Sequence, residues 1–231
     1  MAEPLTPVRL ELRSLTKRYG EITAVEEATV SIGGSEIVAV VGPNGAGKTT
    51  LLSLIAGWTE PTAGTVLVEG HPPSSIEARR VLSYAPDTPV FYGDLSVMEH
   101  VDFVGAMHGV DPGVGGGQDL LGRLGLLDRA DSYPSQLSRG MRQKLSLVLA
   151  LVRPFRLLLL DEPFANLDAA SVDELLGIMA EARRAGATIL VVSHQDALKD
   201  VRTRTLTVDA GLFDLSARRP ARARSVRPAA Q

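Results

Sequence analysis

The sequence contains no cysteine, so disulfide bonds and thiolate metal sites are excluded, which fits a reducing compartment such as the cytosol. Long apolar runs are also lacking. The stretches 145–152 and 157–160 are far shorter than the roughly 20 residues that span a bilayer. Residues 1–4 show neither the basic region nor the apolar run of a signal peptide. We therefore expect a cytoplasmic protein without a membrane span of its own.

Basic residues are scarce in the body of the chain. The net charge is −3, and the five arginines of 218–231, which has no acidic residue, leave residues 1–217 with a charge of −8. Because nucleic-acid binding needs a basic face, the acidic body argues against it. We expect 218–231 to be a disordered, soluble basic tail, with contact to anionic lipid or nucleic acid as the alternative.

The remaining composition is that of a globular protein, with 45% hydrophobic and 22% charged residues among 231. The alternation in 8–12 and the β-formers of 23–32 favour antiparallel strands, and the aliphatic run 37–41 is typical of a buried parallel strand. Further strands are predicted at 65–68, 81–85, 157–160, 188–192, 204–208 and 212–215, and helices at 48–56, 97–108, 119–127, 139–152 and 169–185. This order predicts an α/β fold with a mainly parallel sheet, an N-terminal antiparallel β subdomain and an inserted helical subdomain at about 88–152.

One segment matches the P-loop pattern G-x-x-x-x-G-K-[ST]. Its residues are Gly42, Pro43, Asn44, Gly45, Ala46, Gly47, Lys48, Thr49 and Thr50. Glycine allows backbone N–H groups to approach nucleotide phosphates closely, and the helix that follows points its positive end at them. We expect Lys48 to reach the β- and γ-phosphates and the Thr49 hydroxyl to ligate Mg²⁺. The core is therefore predicted to be that of a P-loop NTPase.

A second segment, 156–163, reads RLLLLDEP. Its buried strand delivers Asp161 to the carboxyl edge of the sheet, where this carboxylate can hold Mg²⁺ directly or through water. Glu162 can polarise a water molecule for in-line attack on the γ-phosphate. A guanine-specific NTPase is excluded, because the chain lacks the Asn-Lys pair of the N-K-x-D motif.

A second phosphate-facing helix end precedes the predicted helix 139–152. The Ser138 hydroxyl, the Gly140 N–H and the helix dipole can bind an anion, although the same residues also fit an ordinary N-cap. One chain hardly needs two such ends for one triphosphate. The second end is explained if it closes over a nucleotide held by another copy.

These motifs, in this order, resemble those of the ATP-binding subunit of an ABC transporter over nearly all of residues 8–210. The set comprises Tyr19, the P-loop, LSRGM at 137–141, LLLLDEP at 157–163, Asn166-Leu167-Asp168, and Val-Val-Ser-His ending at His194. The resemblance implies a head-to-tail dimer that holds two ATP molecules between the P-loop of one subunit and the LSRGM signature of the other. It also implies that Tyr19 stacks on adenine, that Asp168 couples the two sites, and that His194 contacts the γ-phosphate.

Two departures from the family pattern affect the expected site. Asp87 stands where the family usually has glutamine, so an oxygen ligand is kept, an amide donor is lost and negative charge is added. We hypothesise that Asp87 still ligates Mg²⁺. Arg139 and Met141 replace the usual glycine and glutamine of the signature, and Arg139 either faces the γ-phosphate or solvent.

The resemblance implies an ATPase domain over 1–217 that uses ATP and Mg²⁺ to drive transport through a separate membrane permease. It places the chain on the inner face of the cell membrane, paired with an identical or related ATPase subunit. Residues 88–152 would receive a cytoplasmic helix of the permease near Asp87, Phe91 and Tyr92. The short helical region, Asp87 and the basic signature resemble exporter-type subunits.

The alternative is a non-transport ATPase of the same fold that acts on nucleic acid or the ribosome. Three features disfavour it. The 90 residues from Lys48 to Ser138 contain no heptads, the chain has a single ATPase unit, and its body is acidic.

Overall fold

The computed structural model describes residues 9–110, 116–193 and 196–216. The predicted tail 218–231 and His194 lie outside these residues. The strands are β1 (Arg9–Tyr19), β2 (Ile22–Gly33), β3 (Ile37–Val41), β4 (Ala63–Val68), β5 (Leu82–Ala85), β6 (Leu157–Asp161), β7 (Thr188–Val192), β8 (Arg204–Asp209) and β9 (Leu212–Leu215). The helices are α1 (Lys48–Ile55), α2 (Ile76–Val81), α3 (Val97–Met107), α4 (Gly117–Arg123), α5 (Arg139–Val152) and α6 (Ala169–Arg184).

The strands form two sheets. The larger sheet has the order β5-β6-β7-β3-β8-β9 and is parallel except for the antiparallel pair β8–β9. The smaller sheet, β2-β1-β4, is antiparallel throughout. This arrangement confirms the predicted α/β fold class, with its mainly parallel sheet and its N-terminal antiparallel strands.

The strand order positions the two predicted phosphate motifs at the same edge. Val192 of β7 pairs with Val40 on one side and with Asp161 on the other. The backbones of β3 and β6 are therefore two strand spacings apart, about 10 Å. Because parallel strands end at a common edge, the loop after β3 and the carboxylates that end β6 face the same space.

Two apolar cores hold the larger sheet, one on each face. Successive residues of a strand point to opposite faces, so Val38 and Val40 of β3 pack in one core, while Ile37 and Ala39 pack in the other. The first core also takes side chains of the antiparallel sheet and α1, and the second takes those of α3 to α6. Continuous aliphatic runs are needed in β3, β6 and β7 because both of their faces are buried.

Three helices, α3 to α5, follow β5 and precede β6 in the sequence, and they pack against one another. The α3 helix begins at a capping box in which Ser96 and Glu99 exchange hydrogen bonds with each other's backbone N–H. The Ser83 hydroxyl of β5 donates to the Ala150 carbonyl of α5 at 2.7 Å, which joins these helices to the sheet. Arg123 of α4 also pairs with Glu174 and Glu181 of α6.

The observed elements differ from the predicted ones in three places. Strand β1 continues to Tyr19 through a bulge at Ser14, whose φ is 45°, and helix α2 was not predicted. Helix α4 ends at Arg123, short of the predicted 127, because Gly125 adopts a φ of 65° and the Leu126 N–H bonds back to Leu121.

Candidate nucleotide-binding site

A cavity of about 250 Å³ lies at the carboxyl edge of the parallel sheet, between the loop after β3 and the end of β6. Its lining residues are Ala24, Asn44, Gly45, Gly47, Lys48, Thr49, Thr50, Glu162 and Val192. The structure thus brings the predicted phosphate loop and the predicted general base into one space.

Gly47 has to be a glycine for two reasons. Its φ of 102° is left-handed, and a Cβ atom there would lie 2.0 Å from the carbonyl oxygen of Ala24. Gly47 is also the N-cap of α1 and supplies no side-chain hydrogen bond to the first N–H groups of that helix. Those N–H groups, together with the helix dipole, are available to an anion in the cavity.

Lys48 supplies the positive charge of this loop. The residue is 7% exposed, and its ammonium donates to the carbonyl oxygens of Gly42 at 2.9 Å and Pro43 at 2.8 Å. These carbonyls hold the ammonium at the loop, where a triphosphate that enters the cavity would meet it.

Asp161 is a fully buried carboxylate without compensation from hydrogen bonds. Within the described residues, neither of its oxygens has a hydrogen-bond partner. Burial raises the pKa of Asp161, and the charges of Asp87 and Glu162 raise it further, while the nearby Thr49 hydroxyl and the charge of Lys48 act in the opposite direction. A divalent cation would relieve this cost, so the residues fit Mg²⁺.

The residues at this site fit a metal ion whose remaining ligands come from the substrate. In the part of the chain that the structure describes, no three histidine, aspartate or glutamate side chains come close enough to share one metal. Mg²⁺ is commonly held by one or two carboxylates, a hydroxyl, water and the substrate phosphates. Asp161 and Thr49 match this ligand set.

Asp87 lies at the same edge, two residues after β5, and its side chain is exposed. Burial and, next, the charge of Asp161 raise the pKa of the neighbouring Tyr84 to about 12, and Asp87 contributes in the same direction. The charge of Asp87 also raises the pKa of Asp161. That Asp87 ligates Mg²⁺ stays a prediction.

Glu162 is held in an unusual backbone conformation. Its φ of 46° is left-handed, a conformation that costs energy for a residue with a side chain. Its N–H donates to Val192 at 3.0 Å, and its carbonyl accepts from Ala165 at 3.1 Å. These bonds fix the turn after β6, and the Glu162 side chain lines the cavity.

The signature segment forms the start of α5. Ser138 is exposed and caps the helix by accepting from the Met141 N–H at 3.3 Å. Neither Ser138 nor Gly140 is among the described residues that line the cavity. A Cβ atom on Gly140 would lie 2.5 Å from the Asn166 carbonyl oxygen, so packing within the chain also requires this glycine. The sequence interpretation missed that second reason.

Asp168 connects two helices. It caps α6 by accepting from the Ser171 N–H at 2.8 Å, and the Lys144 ammonium of α5 lies 2.8 Å from its other oxygen. Lys144 holds the pKa of Asp168 well below its usual value. The sequence interpretation did not single out Lys144, which has no motif of its own.

Tyr19, the last residue of β1, is 50% exposed and does not line the cavity as described. The Lys17 ammonium lies 4.9 Å from the centre of its ring. His194 follows β7 and lies outside the described residues, while Val192, two positions earlier, lines the cavity.

Comparison with known proteins decides the family. A family model described as ABC transporter matches residues 25–165, more than half of the chain. The chain belongs to the ABC transporter family. A solved structure described as the ATP binding subunit of an ABC transporter matches this ABC subunit with a TM-score of 0.82 and 30% identity, and the match covers 90% of this chain and 89% of the other.

Two relatives of this ABC subunit carry names with opposite transport directions. The spermidine/putrescine import ATP-binding protein PotA of Pseudomonas aeruginosa is 34% identical over 197 residues, covering 82% of this chain and 53% of PotA. The chain therefore spans about half of that relative's length. The SkfA peptide export ATP-binding protein SkfE of Bacillus subtilis is 34% identical over 189 residues, covering 80% and 78%.

The matched structure is described as an ATP binding subunit, so ATP is the nucleotide that the comparisons associate with this family. No described helix combines the length and the apolar character that are needed to cross a membrane.

Proposed function

We propose that this chain hydrolyses Mg²⁺-ATP as one half of a head-to-tail ATPase dimer and thereby drives export through a separate permease, on the inner face of the cell membrane. The observation that carries the proposal is that residues of the P-loop and Glu162 line one and the same cavity. A triphosphate bound by the loop would have its terminal phosphate beside that carboxylate.

The proposed roles follow from position. Lys48 binds the triphosphate, Thr49 and Asp161 hold Mg²⁺, and Asp87 contributes a further oxygen to that site. When bound, Mg²⁺ neutralises charge on the transferred phosphoryl group. Glu162 accepts a proton from the attacking water as general base.

The remaining ligand contacts come from two residues at the margins of the site. Tyr19 stacks on the adenine ring, as its half-exposed ring allows. His194 contacts the γ-phosphate and holds the water that Glu162 activates. The position of Tyr19 at the end of β1 and the position of His194 in the sequence after β7 support these roles.

The dimer completes the site. Ser138 and Gly140 of one subunit bind the nucleotide held by the P-loop of the other, and the exposed position of Ser138 supports this proposal. Asp168 couples the two sites across the dimer. Its bond to Lys144 ties it to the signature helix of its own chain, so movement at one site is passed to the other.

The permease contact is proposed at a groove of about 480 Å³, which we call the docking groove. Its wall includes Trp58, Tyr84, Phe91, Leu149 and Arg153. The Trp58 ring, 66% exposed, packs edge-on against Tyr84 with 4.7 Å between the ring centres. An exposed apolar groove of this kind suits one face of an amphipathic helix.

The helical subdomain frames this groove and carries the aromatic residues near it. Tyr92 is 58% exposed, and its N–H donates to the buried His100 ring at 3.0 Å, which fixes the segment that holds Phe91. Export is favoured over import by the basic signature and by Asp87.

The proposed function is tested by isolating the chain from detergent-solubilised membranes of its own cells, using Glu162→Gln to hold the ATP-bound dimer. We expect a membrane permease to co-purify in amounts that match the ATPase, and inside-out vesicles of the complex to take up substrate when ATP is added. Co-purification with RNA or DNA, and with no membrane protein, would support the non-transport alternative.

A further inference from the structure

Arg153, directly after α5, is a half-buried cation in the wall of the docking groove. One of its terminal nitrogens donates to the Arg79 carbonyl oxygen at 2.6 Å, but its Nε is buried and has no hydrogen-bond partner in the described residues. No carboxylate among those residues forms an ion pair with it. Nearby Arg156, by contrast, pairs with Glu69 at 3.2 Å.

The surroundings of Arg153 add positive charge. An adjoining cavity of about 430 Å³ is lined by Arg79 and Arg80 of α2, and His108 lines both this cavity and the docking groove. Burial and, next, the charge of Arg153 lower the pKa of His108, so that its ring is neutral at pH 7. No acidic residue among the described ones lines either space.

A charge taken out of water without a partner is unfavourable, and folded chains keep such groups where a ligand or partner compensates them. The apolar wall of Trp58, Phe91 and Leu149 lies in the same groove as this unpaired guanidinium. A free anion would leave that wall exposed, whereas a helix with an apolar face and one acid would satisfy both.

We infer that Arg153 binds a carboxylate on the partner segment that occupies the docking groove. The inference rests on the proposed function, because the partner is the cytoplasmic helix of the permease. That helix presents an apolar face interrupted by one aspartate or glutamate. Arg153 is then a specificity residue, because it selects permeases that carry the acid at this position and rejects those that do not.

The single tryptophan of the chain, Trp58, allows a direct test, since it lies in the groove and its fluorescence reports occupancy. The probes are two synthetic amphipathic helical peptides of about 15 residues, or four turns. Both have a leucine and alanine face and a lysine and glutamine face. They differ only at the centre of the apolar face, which carries glutamate in one and glutamine in the other.

We expect the wild-type chain to bind the glutamate peptide roughly 10-fold more tightly than the glutamine peptide, as for a charge-assisted hydrogen bond in a partly dehydrated site. Arg153→Gln should make the two affinities equal, Arg153→Lys should keep part of the difference, and exposed Arg129→Gln should keep all of it. Circular dichroism of each variant checks that it is folded.

The outcomes separate the two proposals. Equal affinities on the wild-type chain would overturn the role of Arg153 and leave the docking groove intact. If neither peptide changes the Trp58 fluorescence, the groove itself fails as a docking site, and the proposed permease contact fails with it.

Discussion

The two helix ends that were predicted to face phosphate, the start of α1 and the start of α5, differ in how much of a site each one completes. At the start of α1, Lys48 is buried, Gly47 packs against Ala24, and Glu162 closes the cavity from β6. At the start of α5, Ser138 is exposed, and within the described residues its hydroxyl bonds to the backbone N–H of Met141 in its own helix. The first end is a walled site and the second is an open one.

The open end is nevertheless fixed by contacts with the rest of its own chain. Gly140 packs on the Asn166 carbonyl, and Lys144 pairs with Asp168, so the start of α5 is fixed to the segment that follows Glu162. The comparison indicates a division of labour. We propose that the walled end carries the chemistry and that the open end is a lid that closes over a nucleotide held by another copy.

The largest expected effect is at the walled end. Glu162→Gln should slow ATP hydrolysis about 100-fold or more, because the general base is lost, while ATP binding persists. Phosphate release and binding of a fluorescent ATP analogue measure the two effects. Exposed Glu60→Gln serves as the matched control and should hydrolyse ATP normally. Full turnover by Glu162→Gln would remove this residue from the chemistry.

At the open end, Gly140→Ala tests whether the start of α5 is packed against the segment that contains Asn166. The added Cβ would overlap the Asn166 carbonyl, so we expect a loss of about 1–3 kcal/mol in the free energy of unfolding. Gly177→Ala in α6 is the control, since nothing lies within 4 Å of its Cβ, and it should gain about 0.5–1 kcal/mol from helix propensity. Denaturant unfolding measures both. Equal stabilisation by the two substitutions would contradict the contact with Asn166.

Asp161→Asn should stabilise the fold while impairing the site. Its raised pKa means that the folded state resists losing this proton, so wild-type stability falls as pH rises above the unfolded value of 3.8. We expect a gain of about 1 kcal/mol at pH 7 without Mg²⁺, absent in acid, and a loss of Mg²⁺-dependent hydrolysis. Thermal unfolding against pH provides the measurement. A destabilised variant at pH 7 would show that the carboxylate is compensated.

The smallest effect is expected from Lys144→Met. Asp168 has a lowered pKa in the folded state, so its stabilising pair is present above pH 3.8 and is lost as pH falls through the folded value. The variant should be slightly less stable than wild type at pH 7, because the Asp168 side chain is 58% exposed and water screens the pair. In strong acid the two proteins should be equally stable, because Asp168 is then protonated. An equal difference at every pH would indicate lost packing in place of lost charge.

Much of the walled end could be predicted from the sequence, because its signals are local. The aliphatic runs of β3 and β6 bury both faces, and the motifs that follow them name Lys48, Asp161 and Glu162 directly. Strand pairing through Val192 then brings them to one edge, as parallel strands require.

The packing of the open end and the docking groove could not be predicted from the sequence, because their contacts join residues far apart in the chain. No sequence pattern links Gly140 to Asn166, or Arg153 to the Arg79 carbonyl oxygen of α2. Helix α2 itself has only six residues, too few for a periodic signal. The early stop of α4 was readable in principle, since Gly125 is a common helix terminator.

The central claim, that each active site is built from two copies, is tested most directly by mixing two inactive variants. Lys48→Ala removes the P-loop cation and Ser138→Ala removes the signature hydroxyl, so neither should hydrolyse ATP alone. In an equal mixture, half of the dimers are mixed, and each mixed dimer has one intact site. We therefore predict recovery of about a quarter of the wild-type rate per subunit. Full activity of Ser138→Ala alone, or no recovery on mixing, would contradict the account.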